Sequence, residues 1–331
     1  MLKHRKMARN ILIFVFLVCS SIQLRGQDPQ FSQFYSNPLY LAPSFAGGVE
    51  GSRISAIYRD QWYSLPNAFI TYSFSYDHYF SNFNSGVGII AFKDVAGSGQ
   101  LGTLNIGLQY SYNFQFMHTW QIRPGMCFSY LEHGLAFDKL KFIDQLMDPS
   151  TTTTSVNAPV REKARDIDFA TSLLIYSKKV WIGSTVDHLL SPNLSLYADE
   201  SLVPLKFTVF GGVQVMKRGR LLKPIDETMT LSFLYKKQES LEQLDLGIYW
   251  HKNPLVLGFW YRGIPPLNSK FGDAVVFLVG FKTQQFNIGY SYDFTISDLL
   301  VHTRGSHEIS MSFKFLLPKR KKLGSVPCPE F

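Results

Sequence analysis

From Thr103 to Phe116 the sequence alternates without a fault. Thr103, Asn105, Gly107, Gln109, Ser111, Asn113 and Gln115 are polar or small, whereas Leu104, Ile106, Leu108, Tyr110, Tyr112, Phe114 and Phe116 are apolar or aromatic. Successive side chains of a strand point to opposite faces, so this segment is a strand with one oily side and one wet side. Its length narrows the choice. Strands of soluble proteins usually hold about 5–6 residues, whereas a tilted strand crossing a bilayer needs about 9–11. A run this long, with aromatics gathered toward one end, fits the wall of a transmembrane β-barrel, lipid outside and water inside.

The rhythm returns along the chain. Strands are expected near 52–60, 67–80, 86–93, 101–116, 119–132, 166–176, 179–188, 205–216, 227–236, 241–250, 254–262, 273–282, 285–295 and 306–316. Segments 86–93 and 254–262 are apolar on both faces and fit the alternation least. The even total of about fourteen suits a bacterial single-chain barrel. The connections alternate in length, except at 217–226 and 237–240. With the N-terminus on the periplasmic side, the short set forms periplasmic turns and the long set surface loops. The expected fold is all-β: a transmembrane antiparallel β-barrel of the outer membrane, multi-pass and about fourteen-stranded. No fixed-period repeat suggests a propeller, and no later segment is apolar enough for a membrane-spanning helix.

Composition has to be read without the first 26 residues. Lys3, Arg5, Lys6 and Arg9 precede the apolar run Ile11 to Cys19 and a polar exit at Arg25-Gly26-Gln27, the order of a secretory signal peptide. Val18 before Cys19 is larger than a lipoprotein signal favours. The formal charge of +8 and pI near 9.2 invite a nucleic-acid reading. Removing the five cations of the signal leaves a mature chain near +3, without a basic helix, so nucleic acid is excluded as a partner. Cys127 and Cys328 are too few for a disulfide scaffold and lack metal spacing. The expected organisation is a signal peptide over 1–26, an extended segment over 27–51, the barrel over 52–316 and a periplasmic tail over 317–331.

Residues that invite chemistry have plainer readings. His78, His188, His251 and His307 form no H-x-x-x-H arrangement and fall at strand ends or turns, which favours structural histidines over metal ligands. Ser306, His307 and Glu308 are triad-type residues, but neighbours in a strand face opposite ways and cannot converge on one substrate. Trp62, Trp120, Trp181, Trp250 and Trp260 read as interfacial girdle rather than a sugar-stacking platform. Neither a catalytic residue, a metal site nor a cofactor is expected. Lys319-Arg320-Lys321-Lys322 is either a solvated flank or part of a docking tail.

Residues 27–48 read QDPQFSQFYSNPLYLAPSFAGG. Pro29, Pro38 and Pro43 favour an extended path, and Phe31, Phe34, Tyr35, Tyr40 and Phe45 need a surface to bury against: the barrel lumen or its periplasmic mouth. The segment resembles the opening of the PorP/SprF family of Bacteroidota outer-membrane proteins. Asp28-Pro29-Gln30-Phe31-Ser32-Gln33, Asn37-Pro38-Leu39-Tyr40 and Ala46-Gly47 carry the resemblance. Tyr58-Arg59-Asp60-Gln61-Trp62, Gly86-Val87-Gly88 with Asp94 and Gly97, Gly305-Ser306-His307-Glu308-Ile309 and the ending Cys328-Pro329-Glu330-Phe331 extend it, although Glu330 stands where the family often has arginine. The resemblance implies a non-enzymatic component of type IX secretion and gliding motility. Its implied partners are an adhesin-like secreted surface protein, periplasmic ring or lipoprotein components, and outer-membrane lipid. Asp28, Pro29, Phe31, Ser32, Gln33, Asn37, Pro38, Gly47, Ser306, His307, Glu308, Cys328, Pro329 and Phe331 are then the candidate partner contacts. Loops 133–165 and 189–204 are expected to face cargo, and 27–48 and 317–331 to face the periplasm. The alternatives are a transport channel for small solutes and an outer-membrane hydrolase.

Overall fold

The computed structural model describes residues 28–65, 68–97, 99–116, 119–136, 140, 161–197, 199–218, 227–264, 273–296 and 304–315. The expected signal peptide, most of the expected loop 133–165 and the expected tail 317–331 lie outside them. The chain forms two units, 1–30 and 31–331. Of the first, 28–30 are described and irregular.

The second unit is a closed antiparallel meander. Its strands are β1 Ser52–Gln61, β2 Phe69–Phe80, β3 Ser85–Ala96, β4 Leu101–Tyr112, β5 Phe114–Phe116, β6 Trp120–Gly134, β7 Lys163–Tyr176, β8 Val180–Asp187, β9 Lys206–Arg218, β10 Glu227–Gln238, β11 Leu241–Lys252, β12 Leu255–Ile264, β13 Ala274–Lys282, β14 Phe286–Thr295 and β15 Ser306–Phe315. β1 pairs with β15, and β4 and β5 both pair with β6, which closes the ring. β5 continues β4, so the wall has fourteen staves, as expected. The break has a chemical cause. In the common register Tyr112 and Asn113 stand opposite Pro124 and Arg123. Proline has no N–H to give the ladder, and Asn113 donates its own N–H to Asn84 O at 2.8 Å.

Alternation sorts the side chains as the sequence indicates. Leu108 is 63% exposed on the outer face, while Gln109 beside it is 4% exposed and faces the bore. Tyr58, Tyr63 and Tyr72 crowd one rim of the outer surface, and Phe80, Phe83, Phe114, Phe116 and Phe315 the other, as two lipid interfaces require. Short turns such as 81–84, 253–254 and 283–285 lie at one end, called here the short-turn end. The longer connections, including 188–205, lie at the other. β8 pairs with β7 only over Thr171–Tyr176. Above it, loop 188–205 folds back, Leu189 N–H reaching Phe169 O at 3.0 Å and Asn193 bridging Leu202.

Two expectations fail, for one reason. Segment 27–48 is not simply extended: within it Phe34–Ser36 and Pro43–Phe45 are 3-10 turns and Pro38–Leu41 a single helical turn. Proline at the first position of the last two suits a helix start. These turns close backbone bonds locally, such as Ala42 N–H to Pro38 O at 3.0 Å, which an enclosed segment needs. Trp181 and Trp260 are not girdle residues; both are buried and face the bore. The bore interior is apolar where those turns press on it. This also explains β3 and β12, apolar on both faces: Phe92 meets Tyr40 and Trp260 meets Phe34, at centroid distances of 5.3 and 4.8 Å.

Candidate functional site

Residues 31–47 fill the bore as a plug, and the wall holds them at three levels. The uppermost lies near the long-loop end, where Arg59 pairs in register with Glu308 and Asp293 with Ser306. There both carboxylate oxygens of Glu308 accept backbone N–H groups, from Ser32 and Gln33, each at 2.8 Å. The Ser32 hydroxyl donates to Asp293 Oδ2 at 2.6 Å and accepts from Arg59 Nη1 at 2.6 Å and Arg262 Nη2 at 2.5 Å. Arg59 also pairs with Glu308 at 2.9 Å and Asp293 at 2.8 Å, and Arg262 with Asp293 at 2.9 Å. Gln33 donates from Nε2 to Glu308 O and Ser291 Oγ, and accepts from Ser310 Oγ at 2.7 Å. Two guanidiniums and two carboxylates, all buried, balance in charge. Such ions are tolerated away from water when they are paired and hydrogen-bonded, although Arg59 Nε and Asp293 Oδ1 are buried without a partner.

Rings dominate the middle level. Phe34, Tyr35, Leu41, Ala42 and Phe45 of the plug join Leu174, Tyr176, Trp181, Phe210, Leu234, Tyr249 and Trp260 of the wall in one buried apolar cluster. Several wall rings lie over glycines of a neighbouring strand. A Cβ on Gly247 would come 2.0 Å from the Trp260 ring, and one on Gly212 would come 2.4 Å from Trp181. The absent side chains let the rings lie flat and thicken the lining. Some polar groups here find partners across the bore: Tyr35 donates to Gly211 O at 3.2 Å, Asn37 to Ser73 Oγ at 2.7 Å and Gln109 to Leu39 O at 2.8 Å, whereas Trp260 Nε1, Asn37 Oδ1 and Gln109 Oε1 are buried without one.

Near the short-turn end the wall grips the plug backbone. Arg123 Nη2 donates to Ala46 O at 2.6 Å and Gly47 O at 3.1 Å, and Ser111 Oγ to Ala46 O at 2.7 Å. Gly47 N–H donates to Asp77 Oδ2 at 2.9 Å, and Arg53 pairs with the same carboxylate. Gly47 has φ +63°, and a Cβ on Gly86 would lie 2.0 Å from Ala46 O, so two glycines make this contact possible.

The candidate contacts therefore separate. Phe31, Ser32, Gln33, Asn37, Pro38 and Gly47 all lie in the plug, buried inside the bore rather than facing the periplasm. Their backbone and polar groups find partners on the inner wall: Ser32 and Gln33 at Glu308, Asn37 at Ser73 and Gly47 at Asp77. Ser306 and Glu308 face the bore with them. His307 faces outward, 2.7 Å from the Tyr290 hydroxyl and with its ring tilted against Tyr63 at a centroid distance of 4.6 Å. Asp28 and Pro29 belong to the separate first unit, and Cys328, Pro329 and Phe331 lie outside the described residues. His188 bonds Asp168 Oδ2 at 2.7 Å, and among the described residues no three His, Cys, Asp or Glu side chains gather as metal ligands would. Sequence reasoning missed Arg262 and Asp293. The available signal was a charged residue at an inward position of a membrane strand.

A closed fourteen-stranded barrel, apolar outside and filled by its own N-terminal segment, is an integral outer-membrane protein. A family profile described as type IX secretion system membrane protein PorP/SprF matches residues 23–313, and the chain belongs to that family. Among curated proteins none matches. Solved structures give distant likenesses. The Acinetobacter baumannii outer membrane protein Omp33 has TM-score 0.45 and 8% identity, over 81% of this chain and 100% of that one. The CymD monoaromatic hydrocarbon channel has TM-score 0.46 and 9% identity, over 85% and 93%. A Pseudomonas aeruginosa FadL homologue has TM-score 0.41 and 10% identity, over 79% and 89%.

Proposed function

We propose that this type IX secretion component works without enzymatic chemistry, as a closed barrel that supports export or surface anchoring of a large adhesin-like protein, in gliding cells among others. In this reading the long loops, including 188–205, meet the cargo, and the short-turn end faces periplasmic ring or lipoprotein components. The observation that carries it is the occupied bore. A solute channel needs a wet path, whereas the described lumen holds a paired charge cluster above a ring-packed middle. The wall then serves as a rigid frame for its two rims rather than a conduit.

Planar-bilayer recording with the full-length protein, together with a secretion assay in cells, tests this. Expected are no steady conductance from the wild type and loss of the surface protein when the gene is deleted. Solute-specific flux through the wild-type barrel would overturn the reading in favour of transport.

A further inference from the structure

The two rims differ in charge pattern. At the long-loop rim exposed residues of both signs mix: Arg161, Lys163, Arg165 and Lys237 stand with Glu162, Asp199, Glu200, Glu239 and Glu242. Several are paired, as Lys163 and Arg165 are with Glu132 at 2.6 and 2.9 Å. At the short-turn rim the exposed charge is positive, although half-buried Glu227, which accepts from Trp250 Nε1 at 2.8 Å, stands in register between Arg218 and Lys252. Lys178 and Lys179 occupy the β7–β8 turn, Lys217 and Arg218 end β9, and Lys252 ends β11; all five are exposed. These three sites lead into successive turns around the wall. The opposite half of that rim carries no cation among its described turn residues: Ser81, Asn82, Phe83 and Asn84 join β2 to β3, Thr119 precedes β6, and half-buried Glu50 precedes β1. Phe83 there is 71% exposed.

We propose that the arc formed by Lys178, Lys179, Lys217, Arg218 and Lys252 is a docking surface for an acidic protein face in the periplasm. The inference rests on the orientation given above, short turns inward. Its one-sidedness decides the class of partner. Lipid headgroups surround a barrel evenly, so a lipid-binding role calls for cations right round the rim, whereas a protein approaches from one direction. An arc of net positive charge steers such an approach and sets its geometry.

The test uses the full-length protein in nanodiscs of phosphatidylcholine, with poly-L-glutamate as the acidic probe. Wild type is expected to bind it at least tenfold more tightly than K178E/K179E/K217E/R218E, with affinity falling as salt rises. S81E/N82E on the opposite half should match wild type. In cells, a benzophenone side chain placed at Ser177 should form a discrete protein adduct that the quadruple reversal abolishes, while one at Asn82 should not. Heat-modifiable migration verifies that each variant folds, and K178Q/K179Q/K217Q/R218Q replaces the reversal if it does not. Equal probe binding by wild type and folded quadruple variant overturns the proposal, as do equal adducts from both halves. So does a reversal that alters only binding of phosphatidylglycerol-containing vesicles, which marks a lipid site. Labelling of a cysteine at Lys179 on intact cells by an impermeant maleimide would overturn the orientation itself, separately from the arc's charge.

Discussion

The upper and middle levels of the bore grip one short segment by unlike means. At Ser32 and Gln33 the wall offers ions and hydrogen bonds; two residues further on, at Phe34 and Tyr35, it offers rings. Ring burial is non-directional and contributes roughly 1.5–3 kcal/mol for each large side chain enclosed. It would tolerate a plug that slid or turned. The charge cluster adds little net stability, because desolvating four ions offsets most of their attraction. It does fix position: a shift by one residue takes the Ser32 and Gln33 N–H groups off the Glu308 carboxylate. The rings hold the plug and the ions set its register.

The largest expected effect comes from breaking the upper level on one side only. Glu308→Ala leaves Arg59 without one of its two carboxylates and two enclosed N–H groups without acceptors. A loss of about 3–5 kcal/mol is expected, measured by denaturant unfolding in detergent micelles followed by tryptophan fluorescence. Replacing the pair together, as Arg59→Met with Glu308→Leu, should recover only the part owed to the unpaired Arg59 charge, because the Ser32 and Gln33 N–H groups still lack acceptors, and should bring flickering conductance in planar bilayers. A quiet, closed double variant would show that the rings alone hold register.

Gly86→Val attacks the lower contact instead. Its Cβ would meet Ala46 O, a backbone atom that cannot rotate away, and overpacking of this kind costs about 1–3 kcal/mol. The midpoint of heat-modifiability should fall accordingly. In a background lacking 31–47 the same substitution should be silent. A penalty that survives removal of the plug would mean the strain lies within the wall.

Tyr35→Phe keeps the ring and removes one hydroxyl, which donates to Gly211 O at 3.2 Å and accepts from Trp181 Nε1 at 3.4 Å. About 0.5–1.5 kcal/mol is expected, with no change in conductance, since packing and register both remain. An open pore in this variant would give the middle level a share in setting register.

The same contrast explains what the sequence revealed. The outer face was legible because hydrocarbon imposes one rule on every stave, and Leu108, Tyr110 and Phe286 obey it regardless of what lies inside. The inner face has no such uniformity. Trp181 and Trp260 read as girdle in a wet bore, and only the plug makes the bore dry. The plug was legible as a set of rings seeking burial, which left its depth open. The charge cluster was the hardest to see, since Ser32 meets Arg262 and Asp293 across 230 and 261 positions of sequence. Glu308 was flagged through its family motif, but periodicity alone gave it a face and no partner.

The smallest effect concerns the residue beside it. His307 lies one position from Glu308 and points the other way, toward Tyr63, Tyr290 and Tyr292 on the outer rim. His307→Phe removes a surface hydrogen bond to the Tyr290 hydroxyl while keeping a ring among rings. Substitutions of this kind stay within about 0.5 kcal/mol, so unfolding should barely move, and the bore should remain closed. Two neighbours in one strand would then differ roughly tenfold in cost because a two-residue period puts one in the latch and the other at the lipid interface. A drop for His307→Phe as deep as that for Glu308→Ala would mean that the wall transmits strain between its faces, and that the latch cannot be understood from the bore side alone.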